Sequence, residues 1–391
     1  MFDALDSPQS IAAVWIGLAL LASLVSIRLG ISVALMEIFA GVFGGNVLGL
    51  ETNDWINFLA GFGSVVLTFL AGAEVEPDIL RRRLRETVSI GALAFVAPFL
   101  GAFLFAWGVA DWSLEASEIA GLALSTTSVA VVYAVMIETG LNETQLGKII
   151  LAACFVNDLG TVIMLGVLFA NFNEWLVVFL AVTVPVLAFF PQFSQWFFDQ
   201  LRGRASEPEI RLLFMLLLGL GGLAVAARSE AVLPAYLLGM VAAGLMVREK
   251  VMVQRLRAIT FGLLTPFFFL RAGTLVQLGA VVSSIGLIAA FLLVKLVMKF
   301  VSVQPLTEYF RFGRRRGLYT SLLMSTGLTF GTISALFGLN HGIIDQEQYT
   351  ILVVAVVLSA VVPTLIAQQF FEPTAESAAM LVPAEEVGEN V

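Results

Sequence analysis

The sequence predicts an all-α integral membrane protein of about 13 transmembrane helices. Of its 391 residues, 59% are hydrophobic and only 13% are charged, whereas a soluble domain has about 25% charged residues. The hydrophobic residues form runs of about 20, the length that an α-helix needs to cross the hydrocarbon core of a bilayer. We therefore expect lipid to surround most of this chain.

Thirteen apolar runs, each bounded by polar or turn-forming residues, define the predicted crossings. Crossing 7 is the weakest, because Pro185 and Pro191 interrupt it and a proline inside a helix removes a backbone hydrogen bond. The acidic N-terminal segment lacks the basic region of a signal peptide, so we expect crossing 1 to stay in the mature protein. The spans are 10–28, 31–50, 54–73, 88–110, 116–138, 147–171, 174–191, 209–227, 230–247, 258–276, 279–301, 317–338 and 348–370.

Basic residues are unevenly distributed between the predicted loops. Seventeen of the 21 lysines and arginines fall in alternate loops, which are cytoplasmic if the N-terminus is outside. The opposite loops contain only Arg228, and the other three basic residues lie within crossings. Because cytoplasmic loops are enriched in Lys and Arg, the pattern predicts an external N-terminus and a cytoplasmic C-terminus. We expect the short acidic tail, residues 371–391, to be disordered.

The two halves of the chain match each other at an offset of 200 residues. Residues 69–72 match 269–272, and residues 124–126 match 324–326. The matched crossings are seven apart, which is an odd number, so they run in opposite directions through the membrane. This pattern predicts an inverted repeat, the usual plan of secondary transporters.

Crossings 5 and 12 both carry small polar residues near their middles. The sequence reads Ser-Thr-Thr-Ser at 125–128 and Ser-Thr-Gly at 325–327, with Thr329 shortly after. Such stretches suit discontinuous helices, whose freed backbone groups line an ion site. Small-residue packing between helices is the alternative, but two clusters at corresponding places favour interrupted helices.

Ionisable side chains inside a membrane are costly and are usually functional. Asp158 lies near the middle of crossing 6, where a carboxylate can take a desolvated cation or a proton, or can pair with a basic neighbour for structural reasons.

Lys295 and Lys299 lie one turn apart on one face of crossing 11. Lys299 is nearer the cytoplasmic end and could reach the headgroups, so depth alone favours Lys295. Cys154 lies in an apolar run and suits a core position better than a redox site.

Five short motifs carry a resemblance to a known family through their order and spacing. They are MEIFAG at 36–41, FLAGAEVEP at 69–77, LSTTS at 124–128, VND at 156–158 and PFFF at 266–269. Together they resemble the Kef-type branch of the monovalent cation:proton antiporters, which includes NapA-like sodium/proton antiporters. The resemblance implies the NhaA/NapA-like antiporter fold, a homodimer, and a multi-pass location in the cell (inner) membrane.

The resemblance also implies roles for individual residues. Asp158 would bind the cation or the proton, and Asn157 before it is typical of electroneutral exchangers. The family has a lysine about 26 residues before the serine of the second interrupted helix, a spacing that favours Lys299 over Lys295 as the charge-compensating residue. The other implied site residues are the oxygen donors Thr126, Thr127 and Ser325 and the supporting carboxylates Glu37 and Glu74.

The resemblance further implies that the membrane domain, residues 1–370, is divided into three functional parts. Residues 10–73 and 209–276 would form a dimerising scaffold, residues 88–171 and 279–370 an ion-transport core, and residues 174–191 a linker. Two features differ from the family. Many Kef-type chains have a Glu in the second interrupted helix, where this chain has Thr329. Many also continue into a nucleotide-binding regulatory domain, and we do not expect regulation by such a domain here.

The sequence therefore predicts a secondary transporter that exchanges Na⁺ for H⁺ without net charge movement. A K⁺/H⁺ antiporter of the same fold, a K⁺-efflux conduit and an organic-anion symporter are the alternatives. No nucleophile–base set, Gly-rich phosphate loop or metal-ligand cluster stands out. We therefore expect no enzyme activity, no cofactor and no nucleic-acid partner.

Overall fold

The chain folds entirely into helices and connecting loops in the residues that this computed structural model describes, which are 7–29, 32–73, 83–142, 144–169, 174–201, 204, 206–227 and 231–374. It divides into two compact units, each made of two separate stretches of chain. The first unit comprises Met1–Val75 and Leu165–Val276, and the second comprises Glu76–Met164 and Gln277–Val391.

The first unit has a core of apolar side chains, among them Val66, Phe69, Leu213 and Leu238. Within it, α3 packs along α10, and α2 packs along α12. Its helices are α1 (Pro8–Leu29), α2 (Val33–Asn46), α3 (Asp54–Ala73), α8 (Glu174–Leu201), α9 (Pro208–Ala226), α10 (Val232–Arg248), α11 (Lys250–Ile259), a π-helical turn (Thr260–Leu264) and α12 (Thr265–Thr274).

The second unit holds most of the buried polar side chains and a core that includes Ile90, Ile150 and Leu323. In this unit α4 packs against both α5 and α14. Its helices are α4 (Leu84–Gly108), α5 (Leu114–Ser125), α6 (Val129–Glu138), α7 (Gln145–Leu168, which enters the first unit at its end), α13 (Leu278–Ser283), α14 (Ile285–Tyr309), α15 (Arg314–Met324), α16 (Thr329–Asn340), α17 (Gln346–Ile366) and a π-helical turn (Ala367–Phe371).

Ten helical segments in the described part of the chain are long and apolar enough to cross a membrane. Three of these segments contain more than one helix: Lys250–Thr274, Arg314–Asn340 and Gln346–Phe371. Helices α2 and α10 are also apolar, but they have only 14 and 17 residues. The helices are therefore those of a multi-pass membrane protein, while the number of 13 crossings and their orientation stay predictions.

Helix α8 runs ten residues beyond the predicted end of crossing 7, through both Pro185 and Pro191 to Leu201. Each proline removes one backbone hydrogen bond and pushes on the preceding turn. The side chains of Phe190 and Phe198 are nevertheless buried in the core of the first unit. We attribute the continued helix to this burial, which offsets the lost hydrogen bonds.

Two helix pairs in the first unit approach each other through reciprocal glycines. On α2 and α12, a Cβ at Gly41 would lie 2.1 Å from the carbonyl oxygen of Leu270, and one at Gly273 would lie 2.1 Å from that of Ile38. On α3 and α10, the corresponding pairs are Gly72 with the Tyr236 carbonyl at 2.3 Å and Gly239 with the Phe69 carbonyl at 2.1 Å. Because each approach joins a glycine to backbone, larger residues would force the helices apart.

We expect Gly72→Ala to destabilise the protein, whereas Gly61→Ala on the same helix should not. The methyl group at position 72 would meet backbone, and such overpacking typically costs about 1–3 kcal/mol. Among the described residues, a Cβ built at Gly61 meets no atom within 4 Å outside its own stretch of helix, and alanine instead gains about 1 kcal/mol of helix propensity there. Thermal unfolding of the two variants in one detergent tests this, and equal melting temperatures would contradict it.

Candidate ion-binding site

The first interrupted helix breaks in the polar stretch after Leu124. Helix α5 ends at Ser125, Thr126 is extended with ψ of 152°, and α6 begins at Val129. The last carbonyls of a helix have no intrahelical partner, and here hydroxyl groups supply donors. Oγ of Ser125 donates to the Leu122 carbonyl at 2.9 Å, and Oγ1 of Thr126 donates to the Ala123 carbonyl at 3.1 Å.

The second interruption repeats this chemistry. Helix α15 ends at Met324, and α16 begins at Thr329. Oγ of Ser325 donates to the Ser321 carbonyl at 2.7 Å, and Oγ1 of Thr326 donates to the carbonyl of Leu323 at 2.8 Å. Both helix ends are thus stabilised by a Ser-Thr pair at or just after the last helical residue.

Direct hydrogen bonds join the two interruptions to each other. The backbone N–H of Ser128 donates to the Thr326 carbonyl at 3.0 Å. The Thr127 hydroxyl donates to the Met324 carbonyl at 2.8 Å. These bonds connect residues about 200 positions apart in the sequence, so the two interrupted helices form one local structure.

Asn157 holds the first interruption through both ends of its side-chain amide. Its Oδ1 accepts a hydrogen bond from the Thr127 N–H at 2.9 Å, and its Nδ2 donates to the Ser125 carbonyl at 3.2 Å. An amide is required for this pairing because it has both a donor and an acceptor, whereas a carboxylate only accepts. Asn157 therefore positions the polypeptide around the site.

Asp158, the next residue on α7, is only 2% exposed. Its Oδ1 atom has no hydrogen-bond partner among the described residues. No ion pair within 4.0 Å joins it to a basic side chain in that part of the protein. Buried polar groups are normally paired, and an exception asks for an explanation. An unpaired carboxylate oxygen at this place is available to a cation or a proton.

The two lysines of α14 are fully buried but differ in their partners. Nζ of Lys299 donates to Oγ1 of Thr127 at 2.8 Å, and that hydroxyl in turn donates a hydrogen bond to the Met324 carbonyl. Nζ of Lys295 makes no hydrogen bond in the described residues. Lys299 is therefore attached to the interrupted helices through a two-step hydrogen-bonded chain.

The structure thus brings Thr127, Asn157, Lys299 and backbone groups of both interruptions into one hydrogen-bonded cluster in the second unit. It does not place every predicted residue there. Glu37 is buried on α2 in the first unit, and Glu74 lies outside the described residues.

One polar contact in this region was missed by the sequence reasoning. Oε1 of Gln304 on α14 accepts a hydrogen bond from Ser321 on α15 at 3.2 Å, and its Nε2 donates to the exposed Glu308 at 3.1 Å. Gln304 links the helix of Lys299 to the helix that ends at Met324. The available signal was a glutamine beside Pro305, in a helix that is otherwise mostly apolar.

A buried, unpaired carboxylate beside two interrupted membrane helices is the arrangement of an ion-coupled secondary transporter. The chain belongs to the sodium/hydrogen exchanger family, because the family model described as "Sodium/hydrogen exchanger, transmembrane" matches residues 16–372. It is accordingly a multi-pass membrane protein of a family of cation/proton antiporters.

Individual relatives agree with this membership. "Probable Na(+)/H(+) antiporter 3" of Methanocaldococcus jannaschii is 23% identical, over 87% of this chain and 89% of that protein. The Na⁺/H⁺ antiporter of Enterococcus hirae is 23% identical, over 88% and 93%. The solved sodium proton antiporter MjNhaP1 of M. jannaschii shares the fold, with a TM-score of 0.68 at 15% identity over 95% of this chain and 98% of that chain.

Proposed function

We propose that this protein is an electroneutral Na⁺/H⁺ antiporter in which Asp158 binds either one Na⁺ or one H⁺. The unpaired, buried Oδ1 atom of Asp158 carries this proposal. A carboxylate that is neutralised by either ligand can cross a low-dielectric region in both loaded forms, whereas an unneutralised charge there is costly. Exchange follows because only the loaded forms cross.

The oxygen atoms at the two interruptions complete the proposed cation site. Hard cations take oxygen ligands, and the candidates at the two interruptions are the hydroxyl or backbone oxygens of Thr126, Thr127 and Ser325. In the structure, the Thr127 hydroxyl already accepts from Lys299 and donates to Met324. We therefore assign Thr127 to positioning, with Thr126 and Ser325 as the remaining donors, and Lys299 as the charge-compensating residue.

An inverted repeat is supported by the glycine contacts of the first unit. An offset of 198 residues relates Ile38 and Gly41 on α2 to Tyr236 and Gly239 on α10. An offset of 201 residues likewise relates residues 69 and 72 on α3 to residues 270 and 273 on α12. Each glycine–carbonyl contact in one half therefore has an equivalent contact, made by the repeat counterparts of both residues. The two interruptions, at 126–128 and 325–328, are related by a similar offset.

We assign transport to alternating access, with the second unit as the ion-carrying core and the first as the scaffold. The location of Asp158 and both interrupted helices in the second unit supports that assignment. The proposal also includes 13 crossings, with an external N-terminus and a cytoplasmic C-terminus. It further includes a homodimer and a location in the cell membrane. Helix α8 includes the proposed linker, residues 174–191.

The names of the relatives favour Na⁺ as the cation. The experiment is proton flux in proteoliposomes of the purified protein, driven in turn by gradients of Na⁺, Li⁺, K⁺ and Rb⁺. We expect Na⁺ to support exchange at the lowest concentration. Exchange that responds to K⁺ alone would instead establish the K⁺/H⁺ antiporter, and single-channel currents would indicate a conduit.

Sodium-driven proton flux should be insensitive to membrane potential. One Na⁺ exchanged for one H⁺ moves no net charge, so the potential performs no work on the cycle. The measurement imposes a potassium-diffusion potential of either sign with valinomycin and records the initial rate. A rate that rises with one sign and falls with the other would contradict one-for-one exchange.

A further inference from the structure

Lys295 is a buried amine whose position the proposed mechanism leaves unexplained. It lies one turn before Lys299 on α14 and is fully buried. Its Nζ atom has no hydrogen-bond partner in the described part of the chain, whereas Nζ of Lys299 is bonded to Thr127. Burying an ammonium without a partner is costly, so the fold must gain something by holding this group here.

The amine occupies a space that exists only because residue 327 is glycine. A Cβ built at Gly327 would lie 2.2 Å from Nζ of Lys295, 3.0 Å from Oγ1 of Thr126 and 3.2 Å from the Thr126 carbonyl oxygen. Gly327 is not among the glycines with a positive φ. Its backbone conformation therefore suits any residue, and the neighbouring amine is what excludes a side chain.

We propose that Gly327 is a positioning residue that seats the Lys295 amine beside Thr126, between the two interrupted helices. Lys295 is then held next to the second interruption as a second buried amine, distinct from Lys299, and the oxygens of Thr126 border the same space. This inference rests on the proposed function, because it assigns the seated amine an influence on cation binding at Asp158 and Thr126.

A methyl group at position 327 would displace the Lys295 amine in particular. Carbon atoms pack at about 3.5–4.0 Å, so a methyl group at position 327 would displace the amine by about 1 Å or more. The Lys295 side chain is flexible at its tip and can move without unfolding the protein. Lys295→Met removes the Nζ atom but keeps most of the stem, which opens the space that the methyl group needs.

The test is a double-mutant cycle with Gly327→Ala and Lys295→Met, read out as the apparent KM for Na⁺ and the maximal exchange rate. We expect Gly327→Ala alone to raise the KM by about tenfold, since a 1 Å displacement at such a site can cost up to about 100-fold. In the Lys295→Met background, Gly327→Ala should raise the KM much less, because only the contacts with Thr126 at 3.0 and 3.2 Å remain. An equal increase in both backgrounds, or none in either, would overturn the proposal.

Gly331→Ala is the matched control, on the same interrupted helix. Its methyl group would meet the Ala123 carbonyl at 2.7 Å and Val356 at 2.9 Å. Neither contact involves Lys295, so its effect should be the same with Lys or Met at position 295.

Melting temperatures of the same proteins in detergent provide a readout that does not depend on transport. The Gly327→Ala loss of stability should be clearly smaller in the Lys295→Met background, while that of Gly331→Ala should be the same in both. If the wild-type protein shows no cation-driven proton flux, the proposed function fails. The melting temperatures of the four proteins in the double-mutant cycle then still decide whether Gly327 makes room for the Lys295 amine. Additive shifts of the melting temperature for Gly327→Ala and Lys295→Met would contradict that contact.

Discussion

Asp158→Asn is expected to reduce Na⁺-driven proton flux to the level of empty liposomes while the protein remains folded. The amide is nearly the same size as the carboxyl group, but it cannot be ionised and does not carry a proton between the two sides. Oδ1 of Asp158 makes no hydrogen bond in the described residues, so the substitution breaks no hydrogen bond of that atom within them. The measurement is dye-quenching in proteoliposomes, with melting temperature and gel-filtration profile as controls for folding.

A matched control for this substitution is available on the same helix. Thr161 lies one turn after Asn157, and within the described part of the chain its hydroxyl donates only to the Asn157 carbonyl, at 3.2 Å. Thr161→Val should therefore retain exchange. Normal flux in Asp158→Asn would remove this carboxylate from the mechanism.

Thr127→Val is expected to give the second-largest loss, although it changes no charge. The Thr127 hydroxyl accepts from Lys299 and donates to the Met324 carbonyl, each at 2.8 Å. Valine leaves both buried partners unsatisfied, at about 1–3 kcal/mol each. If one such loss raises the activation free energy of transport, the exchange rate decreases by about tenfold for every 1.4 kcal/mol.

Thr127→Ser separates the hydroxyl from the methyl group at this position. Serine keeps a donor and an acceptor and should retain most of the exchange rate, whereas valine keeps the shape and should not. Initial rates of Na⁺-driven proton flux in the two variants decide the matter. Similar rates in both would show that the link from Lys299 to Met324 is not needed.

The positions of the helix interruptions could be predicted from composition, but their partners could not. Ser and Thr side chains compete for backbone hydrogen bonds, so clusters at 125–128 and 325–327 marked the breaks. The bonds from Ser128 to Thr326 and from Thr127 to Met324 join positions about 200 residues apart. Such pairings depend on how α5 and α15 pack, and periodicity within one helix carries no information about that packing.

The two lysines show the same limit at the level of single residues. Depth along crossing 11 favoured Lys295, and family spacing favoured Lys299, but both side chains are fully buried. They differ in what surrounds them, since Lys299 meets the Thr127 hydroxyl and Lys295 fills the space at Gly327. Thr127 and Gly327 belong to the interruptions of other helices. Neither depth along crossing 11 nor sequence spacing could therefore predict which lysine meets which of them.

Helix α8 shows where a local rule was overridden. The sequence placed crossing 7 at 174–191 and made it the weakest crossing, because Pro185 and Pro191 interrupt the run and proline disfavours a helix interior. The helix continues to Leu201, and Phe198 packs into the core of the first unit. Burial beyond the proline is a tertiary effect that a search for apolar runs does not detect.

Proton release on Na⁺ binding tests the shared carboxylate most directly. Calorimetric titration of the detergent-solubilised protein with NaCl, in two buffers of different ionisation enthalpy at a pH where the empty site is protonated, gives the number of protons released per ion bound. We predict about one proton per Na⁺ for the wild-type protein and none for Asp158→Asn. Sodium binding without proton release in the wild type, or unchanged release in the variant, would contradict a site that a proton and a cation occupy in turn.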